Sequence, residues 1–238
     1  MVLVLIGPVL WSAGVVLAQG RLHWSQSRWD ATGLAPDPAS HADAIVQIYA
    51  ARTWGWKGAL AVHSWIAFKP ANAPSYARYE VVAWGVWRGG QAVRRDMRPA
   101  DGRWAGNEPE LVLDLRGPAA AAAIPKIEAA IAAYPHPDSY LTWPGPNSNS
   151  FIAYLVRSVP ELRVELPPTA IGKDFLPGGQ IAALAPSGTG VQLSLGGLLG
   201  MILAREEGLE VNLFGLVFGL DPLDLAIKLP GIGRIGLR

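Results

Sequence analysis

Strand-forming residues dominate two stretches in the first half of the chain. Residues 60–68 are largely apolar, residues 76–87 are rich in Tyr, Val and Trp, and prolines lie between them. Apolar segments of this kind, bounded by turn residues, are typical of β-strands. The pattern predicts an antiparallel hairpin, with a short apolar segment at 44–50 and a short strand or edge at 110–115.

The predicted hairpin places a histidine and a carboxylate on neighbouring strands. Because side chains alternate along a strand, His63, Trp65 and Ala67 share one face of the first strand. Glu80 belongs to the second strand, and a matching register would bring it to His63. A strand histidine is more often a hydrogen-bonded core residue than a catalyst, and an exposed carboxylate paired with arginine is the commoner state of Glu80.

Two later segments have helical spacing. Residues 119–134 predict one helix, despite Pro125 near its start. The second helix follows the motif 143–151, in which prolines and a glycine define a turn and four Asn and Ser residues offer capping oxygens. The motif places the Ser148 hydroxyl at a helix N-terminus, where free backbone N–H groups favour a nucleophile or an anion.

The last third of the chain is apolar and rich in glycine. Residues 190–199 match residues 208–217 position by position, and each copy alternates apolar and polar residues before it becomes wholly apolar. The repeat predicts two strands of a second hairpin or of a sheet edge. This region is expected to face lipid, line an acyl groove or complete the core, and the core is the commonest destination.

The N-terminus differs in character from the rest. Residues 2–18 carry no charge and form a segment near the short limit for a membrane-spanning helix. Small residues before Gln19 also fit a cleavage site. We therefore expect a signal peptide or membrane anchor at 1–19, a linker at 20–43 and a single α+β domain at 44–238, in the cell envelope and in contact with the membrane through the N-terminal segment.

Composition excludes several classes of function. Twenty Lys and Arg residues against nineteen Asp and Glu residues give a formal charge of +1, which argues against nucleic-acid binding. Cys is absent, so covalent chemistry must use oxygen or nitrogen nucleophiles. No spacing of histidines and carboxylates predicts zinc, and no glycine motif predicts a nucleotide. We therefore expect neither a metal nor another cofactor.

A papain-like site needs a nucleophile at a helix N-terminus and a histidine on an adjacent strand. Ser148 and His63 supply both, and Glu80 is the candidate third member; Asn147, Asn149 and Trp65 are candidate substrate-binding residues. The segment Asn147-Ser-Asn-Ser-Phe151 resembles the Asn-Cys-Asn-type segment of circularly permuted papain-like families, with serine in the place of cysteine. A serine hydroxyl is harder to ionise than a thiol, so it needs a true base.

Longer blocks resemble a second family. Val62-His-Ser-Trp-Ile66, the segment 143–151, Leu166-Pro-Pro-Thr-Ala-Ile-Gly-Lys-Asp174, Ala185-Pro-Ser-Gly-Thr-Gly190 and Lys228-Leu-Pro-Gly231 are similar to the bacterial family called domain of unknown function 3750, from about Ala44 to the end. That family has no established activity. The resemblance implies a bacterial source and an apolar N-terminal segment.

Two functions remain open on the sequence. One is a serine hydrolase or acyltransferase acting on an amide or ester of an envelope peptide or lipid, on an α+β, permuted papain-like fold. The other is a non-catalytic envelope binding or scaffold domain, in which His63 and Ser148 form a satisfied polar pair.

Overall fold

The computed structural model describes residues 2–18 and 27–237, and the fold is α+β with two antiparallel sheets. The first sheet has the order β4-β3-β2-β1-β5. Its strands are β1 (Ile45–Arg52), β2 (Val62–Lys69), β3 (Ala77–Val81), β4 (Val93–Asp96) and β5 (Pro109–Arg116).

The predicted hairpin is confirmed: β2 pairs antiparallel with β3, and Ile66 lies opposite Tyr79. The second strand is shorter than predicted, because a turn follows Val81 and residues 86–88 form a 3₁₀ helix. A strand that the sequence did not indicate, β4, then pairs with β3. The basic residues Arg94 and Arg95 lie in this strand.

Two helices cover one face of the first sheet. They are α2 (Gly117–Ala132) and α3 (Ser148–Ser158). Ile66 and Phe68 of β2 pack with Ile127 of α2 and Phe151 of α3 in one buried cluster. The opposite face holds a smaller aromatic cluster that includes Trp65 and Trp104. The first sheet therefore separates two environments, one aliphatic and one aromatic.

The second sheet is a seven-stranded meander with the order β12 to β6. Its strands are β6 (Ala182–Leu184), β7 (Gly190–Leu195), β8 (Leu199–Ala204), β9 (Gly208–Leu213), β10 (Leu216–Asp221), β11 (Ala226–Leu229) and β12 (Gly233–Ile235). The sequence repeat is confirmed as strand-forming, since it begins at β7 and again at β9. The sheet is larger than the predicted hairpin.

The second sheet buries most of its polar side chains and exposes most of its apolar ones, although Ile202 and Val217 are buried on the inward face. Gln192, Ser194 and Glu210 are buried, whereas Leu193 and Leu203 are about half exposed. The expectation that the apolar residues complete the core is therefore wrong for this face. The alternation was visible in the sequence, but only the position of the body decides which face is inward.

A buried charge network holds the inward face to the body. The ammonium of Lys173 lies 2.5 Å from Glu210, and the ammonium of Lys228 lies 2.7 Å from Glu210 and 2.6 Å from Glu165. Burial alone would raise the pKa of Glu210, but the two ammonium groups outweigh it and lower this pKa. The network anchors strands β9 and β11 to the segment that follows α3.

The N-terminal helix α1 (Val2–Ala18) rests against both parts of the body. The hydroxyl of Ser12 donates hydrogen bonds to the carbonyls of Ala59, at 2.5 Å, and Gly231, at 3.1 Å. Of the helices in the described ranges, none is long and apolar enough to cross a membrane. The predicted cleavage site ends at Gln19, which lies outside the described residues, as does the linker up to residue 26.

From residue 27 onward, the segment predicted as a linker is held to the body. The Asp101 carboxylate accepts hydrogen bonds from the backbone N–H groups of Thr32, Leu34 and Ala35 at 2.7 to 3.2 Å. Trp29 packs edge-on against Trp104. This segment thereby covers the aromatic face of the first sheet.

We expect Glu210→Gln to lower the free energy of unfolding by about 3–5 kcal/mol, because it leaves buried ammonium groups without their shared carboxylate. Urea denaturation measures this change. The control is Glu110→Gln, which removes an exposed carboxylate and is expected to change stability by less than about 0.5 kcal/mol. Equal effects of the two substitutions would contradict the structural role of the network.

Candidate functional site

The start of α3 is built by a capping box. Asn147 is the N-cap, and its side-chain oxygen accepts hydrogen bonds from the N–H groups of Asn149 and Ser150, both at 3.0 Å. The Ser150 hydroxyl in turn accepts from the N–H of Asn147 at 2.8 Å. This pairing satisfies three of the backbone donors that a helix start leaves open.

The capping box passes over Ser148. Neither the N–H nor the hydroxyl of Ser148 has a hydrogen-bond partner among the described residues, although the residue is only 3% exposed. The N–H belongs to the first turn of α3, where the helix dipole favours negative charge. The arrangement can stabilise an anion at Ser148 with a donor that no structural bond occupies.

Strand β2 is bonded to the start of α3 on both sides of His63. The Asn149 side-chain amide donates to the Val62 carbonyl at 3.0 Å, and the Ser64 hydroxyl donates to the Asn149 side-chain oxygen at 2.8 Å. Ser64 also reaches the carbonyl of Ser148 at 3.4 Å. These bonds set the position of the helix start relative to the histidine strand.

The segment after α3 supports the same junction. The Ile171 carbonyl accepts from the side-chain amides of both Asn147, at 3.2 Å, and Asn149, at 2.8 Å. A Cβ atom at Gly172 would lie 2.3 Å from the Asn147 amide nitrogen, and its φ is +102°. Only glycine fits this close approach. The motif 143–151 and the block 166–174 therefore form one structural unit.

His63 is held by a carboxylate and an indole. Its Nε2 lies 2.5 Å from Glu80, and its ring stacks on Trp104 with centroids 3.5 Å apart. Since an ionised carboxylate only accepts, Nε2 carries the proton and Nδ1 keeps its lone pair. Nδ1 has no hydrogen-bond partner among the described residues and is not fully enclosed. The tautomer therefore suits His63 as a base.

The surrounding charges keep His63 neutral. Burial, followed by the positive charges of Arg78 and Arg98, lowers the His63 pKa well below its ordinary value of 6.5. The two guanidinium groups lie 3.5 and 3.7 Å from the free oxygen of Glu80. Burial and the neighbouring Glu80 carboxylate raise the pKa of Asp96, which pairs with Arg98.

A cleft of about 370 Å³ brings His63 and Ser148 to a common wall. The two side chains approach it from different faces of β2: Ser64 points to α3, so the adjacent His63 points to the aromatic side. No hydrogen bond joins them in the described structure.

The other walls of the cleft are largely apolar. They include Leu60 beside β2, and residues from the turn between β9 and β10. The apolar side chains that line it are Trp56, Leu60, Trp143, Ile171, Phe214 and Leu216. The cleft thus combines His63 and Ser148 with these apolar side chains, and Thr53, Lys57 and Thr142 add further polar groups to its lining.

The three candidate substrate-binding residues have other contacts. Asn147 caps α3 and Asn149 bonds to β2, so their amides are engaged, although both residues line the cleft. Trp65 is fully buried, and its indole N–H donates to the Ala100 carbonyl at 2.7 Å. The contacts of Trp65 are those of a core residue that supports the wall behind His63.

Sequence reasoning missed two members of the site. Trp104 comes from a loop with no regular pattern, and its stacking on His63 required the fold to be known. Arg98 lies in a segment without a strand or helix pattern, yet its side chain is only 22% exposed and its guanidinium lies 3.9 Å from the Trp29 ring centre. The richness in tryptophan around Glu80 was the only available signal. Across residues 2–18 and 27–237, no three His, Asp or Glu side chains converge as metal ligands.

We expect the His63 ring to remain neutral below pH 6.5, since burial and two guanidinium groups oppose its protonation. Nitrogen chemical shifts of the histidine rings measure this pKa, and His63→Gln identifies the resonance. The unfolded chain binds the proton first as the pH falls. The contribution of neutral His63 to stability is therefore present above pH 6.5 and lost below it. A ring that titrates at or above the ordinary value would contradict the assignment.

Comparison with known proteins identifies the family. Searches of curated proteins and of solved structures return no significant match. A family model described as a protein of unknown function (DUF3750) matches residues 43–175. The match covers the first sheet, α2, α3 and the cleft-forming block, and it ends before the second sheet. The chain therefore belongs to the DUF3750 family.

Proposed function

We propose that this protein is a serine hydrolase or acyltransferase that acts on an amide or ester carbonyl of an envelope peptide or lipid. The observation that carries this proposal is that Ser148, at the capped start of α3, and His63, whose pKa is lowered well below its ordinary value, line the same cleft. A nucleophile, a base and an anion donor thus meet at one end of a cleft.

The chemistry follows from these groups. The Ser148 oxygen attacks the carbonyl carbon, and Nδ1 of His63 takes the hydroxyl proton. The N–H of Ser148 holds the resulting oxyanion. The tetrahedral species collapses, and the amine or alcohol leaves with the proton from His63. Water or an acceptor hydroxyl then releases the acyl group from Ser148 by the reverse sequence.

Glu80 acts through His63. Its bond to Nε2 keeps the lone pair on Nδ1, and its negative charge stabilises the imidazolium that forms during the reaction. Arg78 and Arg98 hold the other carboxylate oxygen, so Glu80 is fixed in place. Catalytic hydrogen bonds commonly tighten when substrate binds, so the proposal expects the Ser148 hydroxyl and His63 to come within hydrogen-bond reach in the substrate complex.

The cellular setting is part of the same proposal. The uncharged N-terminal segment supports export or membrane attachment of a bacterial envelope protein. The apolar walls of the cleft support a substrate with an apolar portion next to the carbonyl. A histidine on a strand and a serine at the start of a helix, in this order along the chain, support a permuted papain-like arrangement.

The second candidate is a non-catalytic envelope binding or scaffold domain. The observation that favours it is that His63 is already paired with Glu80 and stacked on Trp104. On this alternative, Ser148 is a helix-start residue without chemistry. The cleft would then bind a ligand without changing it.

We expect a fluorophosphonate probe to label the wild-type chain at serine and to leave Ser148→Ala unlabelled. His63→Gln should slow labelling by at least about 100-fold, because a positioned base contributes 10²–10⁴ in rate. Intact-protein mass spectrometry measures the adduct. The control Ser139→Ala alters an exposed loop serine and should label like wild type. Equal labelling of wild type and Ser148→Ala would favour the non-catalytic alternative.

We expect Ser148→Cys to have a thiol pKa below the ordinary value of about 8.5, because unoccupied N–H groups at a helix start favour the thiolate. The chain contains no cysteine, so the new thiol is the only one. The pH dependence of iodoacetamide alkylation measures the pKa. Ser139→Cys, in an exposed loop, is the matched comparison. The same midpoint for both thiols would argue against an anion-stabilising site.

A further inference from the structure

The outward side of the second sheet, called here the outer face, contains only apolar side chains. Its members pair with one another across successive strands: Leu193 with Met201, Met201 with Val211, and Leu209 with Leu220. The outer face consists of Leu184, Val191, Leu193, Leu195, Leu199, Met201, Leu203, Leu209, Val211, Leu213, Leu216, Phe218, Leu220, Ile227, Leu229 and Ile235.

The apolar side chains of the outer face cannot be buried by reversing the sheet against the body. Its opposite side carries the buried network of Lys173, Glu210 and Lys228, and exchanging the two sides would expose that network and bury the leucines in a polar site. The charges therefore commit the sheet to presenting its apolar side outward. The largest apolar patch of a monomer is commonly about 300–600 Å² and often has a function, so a whole sheet face of apolar side chains indicates a binding surface.

We propose that the outer face is the interface between two copies of this chain. With strands about 4.8 Å apart and about 3.4 Å per residue, the projected footprint is roughly 550 Å². Because protruding side chains enlarge the accessible area beyond this footprint, the face approaches the ~800 Å² per partner of a stable interface. Two such faces, stacked about 10 Å apart, would form the interior of a β-sandwich.

The chemistry of the face favours a second copy over a lipid surface. Interfaces of permanent homodimers are apolar, like a domain core cut in half. Proteins that lie on membranes place Trp, Tyr, Lys and Arg at the boundary, and none of these residue types occurs on the outer face.

The interface would adjoin the candidate site. Leu216 belongs to the outer face and also lines the cleft, and Phe214 lies in the neighbouring turn. A partner on the outer face would therefore cover the sheet beside the apolar end of the cleft. The dimer proposal is based on the outer face and is independent of the proposed catalysis, so either one can be contradicted without the other.

The full-length chain is tested by sedimentation equilibrium from nanomolar to high micromolar concentration. We expect a dimer, and we expect Leu209→Glu and Met201→Glu to raise its dissociation constant at least 100-fold. Met97→Glu makes the same change at a position that is 95% exposed and away from the face, and Leu10→Glu makes it on α1. Neither control should weaken the dimer. Circular dichroism checks that each variant is folded.

A second measurement serves if the glutamate variants do not fold. Leu209→Cys places the only thiol of the chain on the outer face, and it should react with maleimide at least 10-fold more slowly than Met97→Cys at concentrations where the dimer forms. A wild-type monomer at all concentrations, equal thiol reactivity, or loss of the dimer in Leu10→Glu alone would overturn the proposal. So would a monomer that sediments with phosphatidylglycerol vesicles through Leu209, since the occupant would then be lipid.

Discussion

The bonds between Asn149 and strand β2 are the constraint on which the candidate site depends. They tie the start of α3 to Val62 and Ser64, the two residues that flank His63. A helix start and a strand histidine far apart in sequence thereby become walls of one cleft. At the same helix start, the Asn147 side chain accepts hydrogen bonds from the N–H groups of Asn149 and Ser150 but not from that of Ser148.

Charge is buried in two places, with different consequences. Around Glu80, two guanidinium groups and a stacked indole surround a histidine that stays neutral, so the cluster sets the tautomer of a group that faces a cleft. Beneath the second sheet, the carboxylate of Glu210 lies between two ammonium groups and is closed off from solvent. The cluster around Glu80 suits His63 to act as a base, whereas the network around Glu210 determines which face of the second sheet is turned toward the body.

That orientation links the two parts of the molecule. The family match ends before the second sheet, yet Phe214, in the turn before β10, and Leu216, at the start of β10, line the cleft. Residues 176–237 therefore contribute to the apolar end of the site as well as to an exposed apolar face. The second sheet thus contributes to the cleft lining, and the same sheet carries the exposed apolar face.

Local periodicity and turn chemistry were enough to predict the hairpin of β2 and β3, both helices of the body, the capped start of α3 and the strand-forming repeat. The same pattern placed Glu80 on the strand beside His63. The stacking of Trp104 on His63, the approach of Arg98 to Glu80 and the outward leucines of the repeat depend on contacts between distant segments, so they became visible with the fold. A strand pattern specifies that its two faces differ, but the position of the remaining chain decides which face is buried.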